Sequence, residues 1–327
     1  MTSPETAARR AADDADEALA RVGASVTELR DLLGALLDAG RGYVVGSLAA
    51  GLGNRGSDID VIVLCDRGSS DAPMMFFLNE TSVDLQYYNV GDPARVIADL
   101  PAERVPFAGS SCALGPAPAM KMQRRIGRWL NASPLDPAFP EIFDAADYPV
   151  AQAALVRGAV ESLVLKTFTA RTISASGRLG TAAWQRAGRA LVEVLARAAG
   201  ELFVGEKWIV TRAGRCGIDP ELAGRAFTCD GPESMREILA AAGLAALDDP
   251  ALVTLRAADN LERLDLGATC WTLLGGRRML PGDPADLTPE TVENYSAATR
   301  LDAVAEGLVV PVLDRDALDE RVRACAV

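Results

Sequence analysis

The chain has 327 residues, with 33 Lys and Arg against 45 Asp and Glu, so its formal net charge is −12. Histidine is absent. This absence excludes Ser-His-Asp and Cys-His nucleophiles, His-ligated zinc sites and a His general base, which leaves carboxylates, Lys or Arg, hydroxyls, thiols or a hard metal ion. The acidic balance argues against general nucleic-acid binding, which needs a basic surface.

Length and composition are typical of a soluble globular protein with two domains. The cysteines are scattered without a C-x-x-C pair, and the acidic N-terminus lacks the apolar segment of a signal peptide. No apolar run approaches the roughly 20 residues of a membrane span. We therefore expect a reduced, cytoplasmic protein with no membrane segment.

The first hundred residues change from helical to strand periodicity. Residues 5–39 have helical spacing, with Ser25 and Glu28 as a capping box, and Gly40 and Gly42 end this helical region. Beyond Gly42, short apolar runs predict four strands followed by a helix. These elements are expected over 43–45, 61–65, 74–78, 82–90 and 92–100.

The segment 109–118 is typical of a linker, and the chain beyond it has mainly helical periodicity. In residues 250–274, for example, apolar side chains recur every three or four positions. Helices are predicted near 119–130, 150–175, 181–203, 232–242, 250–274 and 288–306, with an edge strand over 308–313. The sequence thus predicts an α+β chain, in which a small module with a mixed sheet precedes a mainly helical domain.

The motif with chemical content is Gly46-Ser47, a spacer, and Asp58-Ile59-Asp60. Strand periodicity places Asp58 and Asp60 on one face, where two carboxylates repel each other unless a cation lies between them. A hard divalent ion such as Mg²⁺, shared with substrate phosphates, suits such oxygen ligands. At the Gly-Ser pair, backbone N–H groups and a hydroxyl can approach an anion closely.

A third acid, Asp84, lies between apolar residues on the last of the four predicted strands. A buried carboxylate needs a partner, which a metal site shared with Asp58 and Asp60 would supply. Three carboxylates suit two metal ions about 3.5–4 Å apart, the arrangement used for in-line phosphoryl chemistry. Asp84 would then bind the second ion and help to deprotonate the attacking hydroxyl, although nearby Glu80 is a competing candidate.

Together, these residues resemble the signature of the DNA polymerase beta-like nucleotidyltransferase superfamily. The layout also resembles bacterial small-molecule nucleotidyltransferases such as those that modify aminoglycosides. The similarity covers residues 43–88. It implies a catalytic domain with its N-terminal helix in residues 1–115 and a helical acceptor-binding domain in residues 116–327.

The resemblance further implies an Mg²⁺-dependent enzyme with two metal ions. It would transfer a nucleoside monophosphate to a hydroxyl of a small-molecule acceptor and release pyrophosphate. The donor would be ATP, which supplies AMP, or another NTP. Gly46 and Ser47 would bind the triphosphate, with Ser57 assisting. Lys207 resembles the Lys of a Lys-Trp step in the helical domain of related enzymes, where it could reach the triphosphate.

A basic cluster on the predicted helix 119–130 contains Lys121, Arg124, Arg125 and Arg128 and no acid. Helical spacing groups Lys121, Arg125 and Arg128 near one face, which we interpret as a solvated face. Contact of this cluster with a triphosphate, or with a phosphate of the acceptor, is the alternative.

Three functional classes stay open. The first is nucleotidylation of a small molecule in antibiotic resistance or natural-product biosynthesis. The second is modification of a protein or a tRNA, where the net charge disfavours tRNA without excluding it. The third is a non-catalytic, nucleotide-binding regulatory protein. A fused nuclease with an Arg-x-His motif is excluded because the chain has no histidine. The acceptor, the nucleotide and the oligomeric state are not encoded in any motif that we recognise.

Overall fold

The computed structural model describes residues 14–66, 68–70, 72–174, 178–259, 261–266, 269–274, 278–281 and 309–325. In the first part of the chain, short helices precede and follow the strands of one sheet. The elements are α1 (Ala15–Ala20), α2 (Val26–Leu33), a 3-10 helix (Gly34–Ala39), β1 (Gly40–Val45), α3 (Gly46–Ala49), β2 (Ile59–Cys65), β3 (Met74–Leu78), β4 (Thr81–Asn89), α4 (Asp92–Ala98), β5 (Arg104–Phe107), β6 (Ser110–Ala113), α5 (Met120–Leu130) and β7 (Ser133–Pro134).

The predicted N-terminal helical region is divided into separate helices. Gly23, at φ +74°, separates α1 from α2, because a left-handed backbone cannot continue a helix. The capping box is confirmed: the Ser25 hydroxyl donates to the Glu28 carboxylate at 2.7 Å and accepts from the Glu28 N–H at 3.3 Å. Residues 5–13 of the predicted region lie outside the described residues.

The sheet has the strand order β3-β4-β2-β1-β7 and is mixed, as predicted. Strands β2 and β4 are parallel, whereas β1–β2, β1–β7 and β3–β4 are antiparallel. Parallel pairing of β2 with β4 follows from the intervening β3, which lets the chain return before it enters β4.

Apolar residues cover both faces of this sheet. Along β2, Val61 and Val63 pack into one core with α1 and α2, while Ile62 and Leu64 pack into another with α5. Burial on both faces explains why β2 is an unbroken apolar run rather than an alternating one. Asp60, near the start of β2, lies on the same face as Ile62, so this face changes from polar to apolar along the strand.

The next part of the chain is mainly helical, as predicted. Helices over 119–130, 150–175, 181–203 and 232–242 are confirmed, with shifted ends. Two short helices were not predicted, and part of the predicted linker 109–118 pairs as the hairpin β5–β6. The elements are α6 (Asp147–Ile173), α7 (Arg178–Ala198), α8 (Ile209–Arg215), α9 (Pro220–Phe227), α10 (Pro232–Ala241) and 3-10 helices at Ala245–Leu247 and Pro250–Leu252.

The predicted helix over 250–274 is wrong. This segment forms β8 (Val253–Ala257), β9 (Leu261–Leu266) and β10 (Thr269–Leu274), and β11 (Arg278–Pro281) pairs with β10. Along β8, Val253 and Leu255 are buried while Thr254 and Arg256 are exposed, which is the period of a strand. The spacing of the leucines is compatible with a helix or with a strand, and the pairing of these strands with their neighbours selects the strand.

The predicted edge strand is confirmed as β12 (Val309–Leu313), which pairs with β8 and precedes α11 (Arg315–Ala324). The predicted helix over 288–306 lies outside the described residues. In the part of the chain that the structure covers, no helix is long and apolar enough to cross a membrane.

The backbone packs as two compact units. The first extends to Gly158 and also contains Leu195–Ile218, and the second contains Ala159–Val194 and the chain from Asp219 onward. Helices α6 and α7 therefore each contribute residues to both units. The predicted domain division between residues 115 and 116 stays a prediction.

Candidate active site

Two of the predicted carboxylates are neighbours across the sheet. In the parallel pair β2–β4, Asp60 lies opposite Asp84, and on its other side Asp60 lies opposite Val45 at the end of β1. Residues in register on adjacent strands present their side chains on one face. Asp58 precedes β2 and is exposed. The fold thus groups the three acids around the point where β1 ends.

Gly46 follows β1 and has φ +77°. A Cβ at this position would overlap Oδ2 of Asp60 and lie 3.0 Å from its Cγ. Only glycine allows both the left-handed backbone and this close approach. The Gly-Ser turn is therefore in direct contact with the central carboxylate, and the Ser47 carbonyl accepts from the N–H groups of Leu52 and Gly53 at 2.8 and 2.9 Å.

Ser57 has a different environment from Ser47. Its side chain is buried, and its hydroxyl accepts from the Asn54 N–H at 3.0 Å and lies 3.4 Å from Asn54 Oδ1. These contacts close the turn before Asp58. Ser57 does not line the cavity described below, and its predicted contact with phosphate stays a prediction.

Helix α5 carries the basic cluster, and part of it faces the carboxylates. Arg128 Nη2 lies 3.1 Å from Asp60 Oδ1, whereas the Arg125 guanidinium lies 4.7 Å from the Tyr88 ring centroid. Arg128 thus pairs with a carboxylate although its side chain is 41% exposed, and contact of the cluster with a phosphate stays a prediction. Helical spacing groups residues on a face, but tertiary packing decides which face points inward.

A buried polar network holds α5 in place. The Arg197 guanidinium donates to Gln123 Oε1 at 3.0 Å and to the Leu155 carbonyl at 2.7 Å, and the Gln123 amide donates to the Pro118 carbonyl at 2.8 Å. Gln152 donates to the Arg197 carbonyl at 3.1 Å. Buried hydrogen bonds of this kind fix the position of the helix that carries the arginines.

Lys207 reaches the site from a loop far along the sequence. A Cβ at Gly127 of α5 would lie 2.7 Å from the Leu202 carbonyl oxygen and 2.8 Å from Val204 Cγ2, so this loop packs directly on the helix. The Lys207 Nζ lies 5.2 Å from the centroid of the Trp208 ring. Trp208 has φ +71°, a conformation uncommon for a residue with a side chain.

Arg212 on α8 holds the same loop and was not predicted from the sequence. It is fully buried and donates to the carbonyls of Gly205 at 3.0 Å and Glu201 at 3.1 Å. One turn later, Arg215 donates to the Ala50 carbonyl at 2.9 Å and forms an ion pair with Glu201 at 3.3 Å. The arginines at spacing i, i+3 were the only sequence signal of this role.

Substitution of Arg212 by Met is expected to destabilise the protein by about 2–4 kcal/mol, because two buried carbonyl groups lose their donor. Urea unfolding followed by circular dichroism would measure the loss. Arg95→Met is the control, since Arg95 is 69% exposed and its ion pair with Asp92 lies at the surface. Equal losses in the two variants would show that Arg212 does not hold the loop.

A cavity of about 350 Å³ lies at the centre of these groups, within the range of small-ligand sites. All its lining residues belong to the first unit. Cations and acids both line it. The residues are Gly46, Ser47, Asp58, Asp60, Arg124, Gly127, Arg128, Phe203, Val204, Gly205, Glu206 and Lys207. Asp84 is not among them and lies beside Asp60 on the next strand.

Asp60 is the electrostatic centre of the site. Burial raises the pKa of this carboxyl above its ordinary value, and the Arg128 guanidinium opposes that rise. The charges of Asp84 and Asp58 raise the pKa further, and Lys207 lowers it. A partly buried acid surrounded by charges of both signs, beside a cavity, is characteristic of functional sites.

Residues 26–102 match the family model of the nucleotidyltransferase domain. The match spans β1–β4 and α4 and includes every predicted site residue except Lys207. No curated protein matches the chain. The matched region thus supplies the carboxylates and the Gly-Ser turn, and the later part of the first unit adds the cations Arg124, Arg128 and Lys207.

Whether the matched region fits a metal ion depends on its oxygen atoms. Among the described residues, no three acidic or thiol side chains are arranged to hold a metal ion by themselves. Asp84 Oδ1, however, is buried and has no hydrogen-bond partner in the described structure, a costly state that a nearby cation would relieve. Mg²⁺ often uses only one or two carboxylates and takes its other ligands from phosphates and water. The residues fit a metal site that the substrate completes.

Proposed function

We propose that this protein transfers a nucleoside monophosphate from an NTP, with ATP as the first candidate, to a hydroxyl of a small-molecule acceptor. One observation carries the proposal: within a matched nucleotidyltransferase domain, Asp60 and Asp84 lie in register beside a cavity lined by cations. The reaction would run in the cytoplasm, as expected from the sequence.

The cationic side of the cavity suits the triphosphate. Arg124, Arg128 and Lys207 present three positive groups, and guanidinium groups bind phosphate oxygens in pairs. The turn at Gly46 and Ser47 lines the same cavity and would hold the phosphates from the opposite side. Together these groups would orient the α-phosphorus toward the carboxylates, which lowers the entropic part of the barrier.

Asp58, Asp60 and Asp84 would together hold two Mg²⁺ ions. The bound ions would neutralise charge on the reacting phosphoryl group and favour the ionised acceptor hydroxyl. Asp84 would accept the proton from that hydroxyl. The acceptor oxygen forms a bond to the α-phosphorus, the bond between the α-phosphorus and its bridging oxygen breaks, and pyrophosphate leaves.

The surface next to Asp84 supports a small acceptor with an apolar body. Met75 lies opposite Asp84 on the edge strand β3, and Met75 and Phe77 are 64% and 63% exposed. Strand β3 carries no acid, although a polycationic aminoglycoside would need carboxylates around it. Within the small-molecule class, this surface favours an acceptor with an apolar part over a polycationic one.

The test is incubation of the purified protein with Mg²⁺ and each α-³²P-labelled NTP. The acceptors offered are aminoglycosides, hydroxylated aromatic compounds, tRNA and the protein itself. We expect label to reach a small molecule with release of pyrophosphate, and Asp58→Asn to abolish the transfer. Asp99→Asn, an exposed site beyond α4, should retain it. Label found only on protein or RNA would contradict a small-molecule acceptor, and nucleotide binding without any transfer would favour a regulatory protein.

A further inference from the structure

Arg128 bridges the two strands that carry the candidate metal ligands. Its Nη2 lies 3.1 Å from Asp60 Oδ1 on β2, and its Nη1 lies 3.4 Å from Gln86 Oε1 on β4. Gln86 follows Asp84 by two residues, so Asp60, Asp84 and Gln86 lie on one face of the sheet. The guanidinium therefore contacts the Asp60 carboxylate and lies on the face of the sheet that also carries Asp84.

The ion pair occupies an oxygen that the proposed metal site needs. Asp60 is the central acid, and its Oδ2 is already close to Gly46. With Arg128 on Oδ1, a second cation at Asp60 would meet a positive charge at short range, and this repulsion is weakly screened in a partly buried site. A metal ion and Arg128 thus compete for the same carboxylate.

Arg128 is able to leave Asp60 without disturbing the fold. Its side chain is 41% exposed, whereas the helix beneath it is held by the buried contacts of Gln123 and Gly127. Because the guanidinium has solvent access, its ion pair contributes little to the stability of the fold. The same side chain lines the cavity proposed for the triphosphate, so a phosphate lies within its reach as an alternative partner.

We propose that Arg128 is a positioning residue that makes metal binding depend on the nucleotide. Without nucleotide, Arg128 neutralises Asp60 and disfavours the metal. When the triphosphate enters, Arg128 exchanges its carboxylate partner for phosphate oxygens and frees Asp60 as a ligand. This inference rests on the proposed function, since it takes Asp60 as a metal ligand and the cavity as the phosphate site.

The experiment measures Mn²⁺ binding to the full chain by electron paramagnetic resonance, with and without α,β-methylene-ATP. Without nucleotide, Arg128→Met is expected to bind Mn²⁺ about fivefold more tightly than the unmodified protein, which corresponds to the loss of an ion pair of about 1 kcal/mol. With the analogue, the unmodified protein should gain Mn²⁺ affinity, and Arg128→Met should gain much less.

Arg124→Met is the matched control. It removes one positive charge from the same helix and the same cavity, and the ion pair between Arg128 and Asp60 remains. Without nucleotide, we expect less than about a twofold change in Mn²⁺ affinity from this variant, because charges without a direct contact are screened. The comparison with Arg128→Met is made in that condition only, since Arg124 lines the proposed phosphate site. Arg128→Lys keeps the charge but cannot span Asp60 and Gln86. Its Mn²⁺ affinity should therefore lie between that of the unmodified protein and that of Arg128→Met.

The outcomes separate this inference from the proposed function. Suppose that Asp60→Asn removes Mn²⁺ binding, but Arg128→Met binds Mn²⁺ no more tightly than Arg124→Met. Arg128 then does not compete with the metal, and the assignment of the metal site remains supported. If Asp60→Asn binds Mn²⁺ as tightly as the unmodified protein, the metal assignment itself is overturned, and the competition with it. Circular dichroism of each variant, including Arg128→Lys, identifies any effect of misfolding.

Discussion

Replacement of Asp60 by Asn is expected to reduce nucleotidyl transfer by about 10²- to 10³-fold, the usual loss when one electrostatic contact to the reacting group is removed. The same change should stabilise the folded protein near neutral pH. The two effects have one cause, because Asp60 keeps a negative charge in a partly buried site where other acids surround it. A charge that the fold disfavours is a common property of functional sites.

The expected gain in stability of Asp60→Asn depends on pH in a definite direction. The pKa of Asp60 is higher in the folded protein than in the unfolded chain, mainly because of burial. The folded state then binds the proton more readily, so this carboxyl contributes most stability below its unfolded pKa and loses that contribution as the pH rises through its folded pKa. Asn stays neutral throughout. The difference in stability between Asp60→Asn and the unmodified protein should therefore be largest at neutral pH and vanish in acid.

Thermal unfolding between pH 3 and pH 8, together with the labelled-NTP assay, would measure both effects. Asp99→Asn is the control, because this exposed acid follows α4 and does not line the cavity. An unchanged Tm profile for Asp60→Asn would mean that Arg128 fully compensates the charge of Asp60. Undiminished transfer in that variant would remove Asp60 from the catalytic group.

The part of the site that sequence analysis could predict is the part encoded in adjacent residues. Gly46-Ser47 ends one strand and Asp58-Ile59-Asp60 opens another, so local periodicity alone places these groups at one end of the sheet. Asp84 required a further step, since its position opposite Asp60 depends on parallel pairing of β2 with β4. The sequence predicted a mixed sheet but not which of its strands pair in parallel, so the register of Asp84 with Asp60 is known only from the structure.

The cations of the site were harder to predict because packing decides their position. Arg128 faces Asp60 because α5 lies on the sheet through Ile126 and Trp129, and helical spacing alone could not select that face. Lys207 follows Asp60 by more than a hundred residues, and its loop reaches α5 because Gly127 leaves room for Leu202. A single glycine in a basic helix does not signal such a contact in one sequence.

The mistaken helix over 250–274 has a different origin. Leucines at helical spacing fit an amphipathic helix, yet in β8 the buried Val253 and Leu255 alternate with the exposed Thr254 and Arg256. Its partner β12 is distant in the sequence, so the pairing that stabilises β8 is non-local. Periodicity read in one window does not detect such a partner.

Replacement of Gly46 by Ala should disable the site by displacing Asp60. The left-handed backbone at φ +77° costs an alanine about 1–2 kcal/mol, and the new Cβ would also overlap the Asp60 carboxylate. A displacement of about 1 Å at a reacting centre costs roughly 100-fold in rate. We therefore expect Gly46→Ala to lose both stability and transfer, the latter by about 100-fold or more.

A matched control separates the backbone strain of Gly46→Ala from the overlap of its new Cβ with the Asp60 carboxylate. Gly23 has a similar φ of +74°, and a Cβ there would have no neighbour within 4 Å, so Gly23→Ala carries the backbone strain alone. Gly46→Ala should be more destabilising than Gly23→Ala by urea unfolding, and the excess should largely disappear in the Asp60→Ala background, where the overlapping carboxylate is absent. Equal losses at Gly46 and Gly23, with no coupling to Asp60, would contradict this account. Gly46 would then be required only for its backbone angle, and Asp60 would not depend on the turn for its position.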